Sequence, residues 1–88
     1  MSTEEVERRV AHTVIRLSKK AGRVEAGGIR IDFPISRQDI AEMTGTALHT
    51  VSRILSAWEA NGLVEGGRQN LLLRDLAGLQ VLADTLGS

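Results

Sequence analysis

Cysteine and tyrosine are missing from this 88-residue chain, and proline, phenylalanine and tryptophan occur once each. Without cysteine there are no disulfides, no thiolate metal sites and no thiol nucleophile. With Phe33 and Trp58 as the only aromatic residues, a core must be assembled from Leu, Val, Ile and Ala. No apolar run approaches the ~18 residues that a membrane-spanning helix needs. The start, MSTEEVERR, is acidic and then basic, unlike the apolar stretch of a signal peptide. The expected location is the cytoplasm. Net charge is missing too, since 11 Lys and Arg balance 11 Asp and Glu. A polyanion partner would therefore have to be recognised by where the cations lie, not by their sum.

Catalysis and cofactor chemistry find little support. His12 and His49, far apart and without cysteine, make no zinc site. The stretch GLVEGGRQ lacks the G-K-[ST] of a phosphate loop. Ser52 has no strained elbow and no oxyanion donors, so no enzyme is expected. No cofactor is expected in this chain.

What is present is periodicity. Hydrophobic residues make up 42% of the chain, enough for one folded domain. Ser2 and Glu5 form a capping box, and Val6, Val10, Val14 and Leu17 recur at helical spacing behind it. This predicts a first helix over residues 3–21, closed by Gly22. Arg8, Arg9, Arg16, Lys19 and Lys20 form its solvated side, with His12 partly packed or solvated rather than a ligand. Ile29, Ile31 and Phe33 then alternate with Arg30 and Asp32, a half-buried strand entered through the Gly27-Gly28 turn and ended by Pro34. Ser36 and Asp39 start a short helix over 37–43 that Gly45 breaks. Thr46 is a candidate N-cap for the next helix, which Asn61-Gly62 ends. LVE, GGRQ and NLLLRD read as strand, turn, strand, and Asp75 caps a last helix with Leu76, Leu79, Leu82 and Leu86. The order is that of a mostly helical α+β fold, a winged helix-turn-helix. It has an N-terminal helix, a small hairpin, the helix pair at 36–61, a wing hairpin at 63–74 and a C-terminal helix.

On the helix after Thr46, Ala47, Leu48, Val51, Ile54, Leu55 and Trp58 fall on one arc. His49, Ser52, Arg53 and Ser56 lie opposite, with Thr46 and Thr50 on the shoulder. Trp58 belongs to the core. His49 and Arg53 are four apart and point the same way from adjacent turns. Ile40 and Ala41 before Gly45, with Val51 and Ile54 after it, bring the two helices together at a steep angle. The second helix then protrudes in the manner suited to a DNA major groove.

The segment ISRQDIAEMTGTALHTVSRILSAWEANGLV resembles the DNA-binding domain of bacterial Crp/Fnr-type transcription regulators. The resemblance extends over nearly the whole chain, and SRQDIA and TVSRIL are its most specific pieces. It implies a sequence-specific binder of double-stranded DNA. By the same resemblance, the positions of Ser36, Arg37 and Gln38 hold the DNA backbone, Arg53 reads a base edge and Ser52 meets a base or phosphate. The wing turn from Gly66 to Gln69, with Arg68, rides on the backbone, and Thr46 and Thr50 join it. Many members have glutamate where this chain has His49, and arginine or valine where it has Leu48. Leu48 either touches a thymine methyl or extends the apolar arc, and His49 either enters the groove or stays idle. The family's known target sequences therefore do not transfer.

The resemblance also implies an upstream sensor domain and dimerisation helix, absent from this chain, so the chain is expected to be the DNA-binding part of a longer regulator. A palindromic site for the full-length dimer, RNA polymerase as a further partner and a monomeric isolated domain follow from it. The other reading of the residues is a winged-helix protein-interaction or dimerisation module without DNA binding.

Overall fold

The computed structural model describes residues 3–66 and 70–85. It contains α1 (Thr3–Ala21), β1 (Gly22–Glu25), β2 (Gly28–Ile31), α2 (Arg37–Thr44), α3 (Leu48–Ala60), β3 (Val64–Gly66), β4 (Leu71–Leu73) and α4 (Leu76–Thr85). The fold is the winged helix-turn-helix expected. Ser2, Arg68, Gln69 and Leu86 lie outside the described residues.

α1 buries Val6, Val10, Ala11, Val14 and Ile15 along one stripe. Glu4 and Glu5 in its first turn and Lys19 and Lys20 in its last complement the helix dipole. It packs along α4 and meets α2 and the sheet. Trp58 is 1% exposed, and its indole Nε1 donates to Glu7 Oε2 at 2.8 Å. That bond ties α3 to α1 and satisfies the one polar atom a buried indole carries.

Two expected hairpins turn out to be one sheet. The strand order is β1-β2-β4-β3, all neighbours antiparallel, with Ile29 opposite Leu73 and Arg30 opposite Leu72. Leu71, Leu72 and Leu73 are all buried, because β4 is an inner strand whose three residues pack on both faces. Gly28 makes the junction possible. Its φ of 147° lies where side chains rarely go, and a Cβ there would collide with the Leu73 carbonyl. The strand of the first hairpin ends at Ile31, before the expected Phe33, which is 37% exposed. The wing grows from the same sheet, and Arg74 and Asp75 both donate backbone N–H to the Leu63 carbonyl. Asp75 caps α4 as expected, accepting from Gly78 N–H at 2.9 Å.

Candidate nucleic-acid interface

The helix pair is assembled from local signals. Ser36 accepts from the Asp39 N–H at 3.1 Å while Asp39 Oδ2 accepts from the Ser36 N–H at 2.9 Å, a complete capping box. The Ser36 hydroxyl keeps its own proton to donate outward. At the other end Gly45 sits at φ 65°, ψ 32°. Its N–H reaches the Glu42 carbonyl and the Thr46 N–H reaches the Ala41 carbonyl at 2.9 Å, the paired bonds of a Schellman closure. The same closure ends α3, with Gly62 N–H on Glu59 and Leu63 N–H on Trp58. α2 buries Ile40, Ala41 and Thr44, and α3 buries Val51, Ile54, Leu55 and Trp58.

The start of α3 differs from expectation. Ala47, not Thr46, occupies the N-cap position, and no side chain caps the helix. The Thr46 hydroxyl instead contacts the Thr44 carbonyl at 3.4 Å. The apolar arc is also shorter at this end, because Ala47 is exposed and Leu48 is 45% exposed. Both residues precede the first turn that packs on α2, so no core atoms remain for them to cover. Leu48 thereby joins the outward face.

That face carries Leu48, His49, Arg53 and Ser56 exposed, with Thr46, Thr50 and Ser52 half-buried. The side chains of His49 and Arg53 make no hydrogen bond or ion pair among the described residues. Their donors are therefore uncommitted, one helical turn apart. Glu59 is the only acid on α3, and it lies at the helix's far end.

The residues at the start of α2 are less free. Gln38 donates to Glu42 Oε2 at 3.0 Å. The Arg37 guanidinium crosses to α3, donating from Nη1 to the Ser52 carbonyl at 3.1 Å and the Ser56 hydroxyl at 3.3 Å, and from Nη2 to Glu59 Oε1 at 2.7 Å. The resemblance implied that Arg37 holds the DNA backbone, and the sequence did not single out Glu59. Twenty-two positions separate the two residues, so no local spacing could pair them. A small cleft floored by Ile35, Ile40, Leu55 and Leu71 opens between this pair and Gly66 and Asn70 at the base of the wing. Ser36, Arg37, Gln38, Thr46, Thr50, Ser52 and Arg53 thus lie on α2, α3 and the turn joining them, whereas Arg68 and Gln69 are not described. No group of three or more potential metal ligands occurs among the described residues, and no described helix is long and apolar enough to cross a membrane.

Comparison with known proteins gives a consistent family. A family model described as the Crp-like helix-turn-helix domain matches residues 8–82. The chain is 30% identical over 83 residues to the transcriptional activator protein FnrA of Stutzerimonas stutzeri, covering 94% of this chain and 34% of that protein. It is 31% identical over 83 residues to the cyclic AMP receptor protein of Thermus thermophilus, covering 94% of this chain and 35% of that one. Among solved structures, the CO-dependent transcription factor CooA from Carboxydothermus hydrogenoformans aligns with a TM-score of 0.83 at 28% identity, over 89% of this chain and 36% of that chain. The chain spans about a third of the length of the curated relatives it matches. FnrA is named as a transcriptional activator and CooA as a transcription factor, and neither name is that of an enzyme.

Proposed function

This chain belongs to the Crp-like helix-turn-helix family, and on that premise we propose that it reads double-stranded DNA for a Crp/Fnr-type transcription regulator, with α3 in the major groove. The observation that carries the reading is the outward face of α3, where the side chains of His49 and Arg53 project beside Leu48, Ser52 and Ser56 without a partner among the described residues. Solvated helix faces usually mix Glu and Lys. This one offers a guanidinium, an imidazole, hydroxyls and one exposed leucine.

Each side chain suits a particular edge. Arg53 can donate two parallel bonds to guanine O6 and N7. His49 donates to an acceptor such as a purine N7, and Leu48 packs on a thymine methyl. The one carboxylate on α3, Glu59, lies at the far end of the helix and is bonded to Arg37, so the amino group of cytosine meets no strong acceptor beside Arg53. Ser52 contacts a base or phosphate. Ser36, Gln38, Thr46 and Thr50 hold the DNA backbone, as do Arg68 and Gln69 at the wing turn.

For the longer regulator we propose a palindromic site read by a dimer, with half-sites about one helical turn apart, and RNA polymerase as a second partner, in the cytoplasm. The 88-residue domain acts as a monomer and binds weakly, because it lacks the effective concentration that a tethered second half-site provides. An NMR titration with a short duplex at two salt concentrations tests the reading. Shifts at residues 36–38, 46–53 and 66–69 that fade with salt are expected, since phosphate contacts release counterions. Shifts that ignore salt, or none at low salt, would point to a protein-interaction module.

A further inference from the structure

The contacts of Arg37 go beyond what a phosphate clamp needs. Its guanidinium spans Ser52, Ser56 and Glu59, two turns of α3, from the first turn of α2. The Ser52 carbonyl it reaches belongs to the peptide that joins Ser52 to Arg53, the candidate base reader. Helix geometry already uses one lone pair of that carbonyl for the Ser56 N–H, and Arg37 takes a second direction. The Arg37 and Glu59 side chains are 38% and 35% exposed, half-withdrawn from water at the mouth of the cleft between helix pair and wing. A planar guanidinium with two nitrogens engaged fixes distance and orientation together, which an ammonium cannot do.

We infer that Arg37, anchored by Glu59, is a positioning residue that sets the angle of α3 against α2 and hence the reach of Arg53. The inference rests on the reading of α3 as the DNA-reading helix. It assigns the Arg37 head group to specificity rather than to phosphate binding. Glu59, an acid on a helix that approaches a polyanion, then has a physical reason to be there.

The test compares Arg37→Lys, Arg37→Gln and Glu59→Gln in the 88-residue chain. The probes are a duplex selected by the unsubstituted chain from a random pool and a scrambled duplex of the same composition. Without DNA, Arg37→Lys and Glu59→Gln should each shift the amides of residues 52–59. With DNA, Glu59→Gln should lower the ratio of selected to scrambled affinity by roughly tenfold, the order of one misplaced bidentate base contact. The salt slope should stay unchanged, and Arg37→Lys should not restore the ratio. A phosphate-binding Arg37 gives the opposite pattern. Glu59→Gln then tightens both duplexes equally, Arg37→Lys retains most affinity, and Arg37→Gln lowers the salt slope by about one. That outcome overturns the inference, as would unmoved amides at 52–59 in the DNA-free protein. If the unsubstituted chain binds no duplex at low salt, the DNA reading itself fails, and the specificity role falls with it. The DNA-free shifts still separate that failure from the absence of the Arg37 contacts.

Discussion

At the residue scale, exposure and commitment divide the polar side chains into two groups. Arg53 is exposed and unpartnered among the described residues, whereas Arg37 and Arg30 each hold an acid, Glu59 at 2.7 Å and Glu25 at 3.0 Å. Arg53→Ala should cost about 1–3 kcal/mol of specific affinity and relax the preference at a single base pair. Binding measured on a panel of single-base variants checks this, and an equal loss on specific and random duplexes would remove Arg53 from the base readers. Glycines at left-handed positions divide in the same way. Gly45→Ala meets no atom within 4 Å and should cost about 1–2 kcal/mol from backbone strain alone. Gly28→Ala adds a collision with the Leu73 carbonyl. It should be the more damaging by at least about 2 kcal/mol in urea unfolding, because main chain cannot swing aside as a flexible side chain can.

At the element scale, α2 and α3 are stopped alike and started differently. Both end in a Schellman closure, but α2 begins with a complete capping box and α3 begins at Ala47 with no side-chain cap. The N–H groups of Leu48 and His49 thus have no capping side chain, while that of Thr50 reaches the Ala47 carbonyl at 3.1 Å. Ala47→Ser should therefore raise stability by about 0.5–1 kcal/mol, read as a higher urea midpoint with unchanged slope. No gain would mean that the helix entry is already satisfied in another way. Thr46 misled the sequence reading because a hydroxyl residue beside a glycine is a strong N-cap signal. The Schellman bond from the Thr46 N–H to Ala41 draws that residue into the turn and moves the helix start onward.

At the scale of the whole molecule, the sheet makes one body of what look like two hairpins. β2 and β4 are its inner strands, and β4 is buried throughout. Native-state hydrogen exchange should find the shared amides of β2 and β4 among the slowest, opening together with α1. Faster, independent exchange of β4 would show a wing that moves apart from the core. The consequence for function is a wing held in fixed relation to α3, with Val64 packed in the core and Arg30 bonded to Asn70 at 3.0 Å where β4 begins.

The sequence by itself determined the elements and the outward face. Helical spacing, capping pairs and glycine stops act within a few residues, and they placed α1, α2, the end of α3 and the cap of α4 within a residue or two. The 100° advance along α3 likewise set Arg53, His49 and Ser52 against Val51, Ile54 and Trp58. Tertiary structure decided what depends on residues far apart in the chain. The pairing of β2 with β4, the reach of Trp58 to Glu7 and the bridge from Arg37 to Glu59 span 51 positions or fewer but leave no periodic mark. It also decided that Leu48 faces outward, because an apolar residue is buried only where a neighbouring element arrives to cover it.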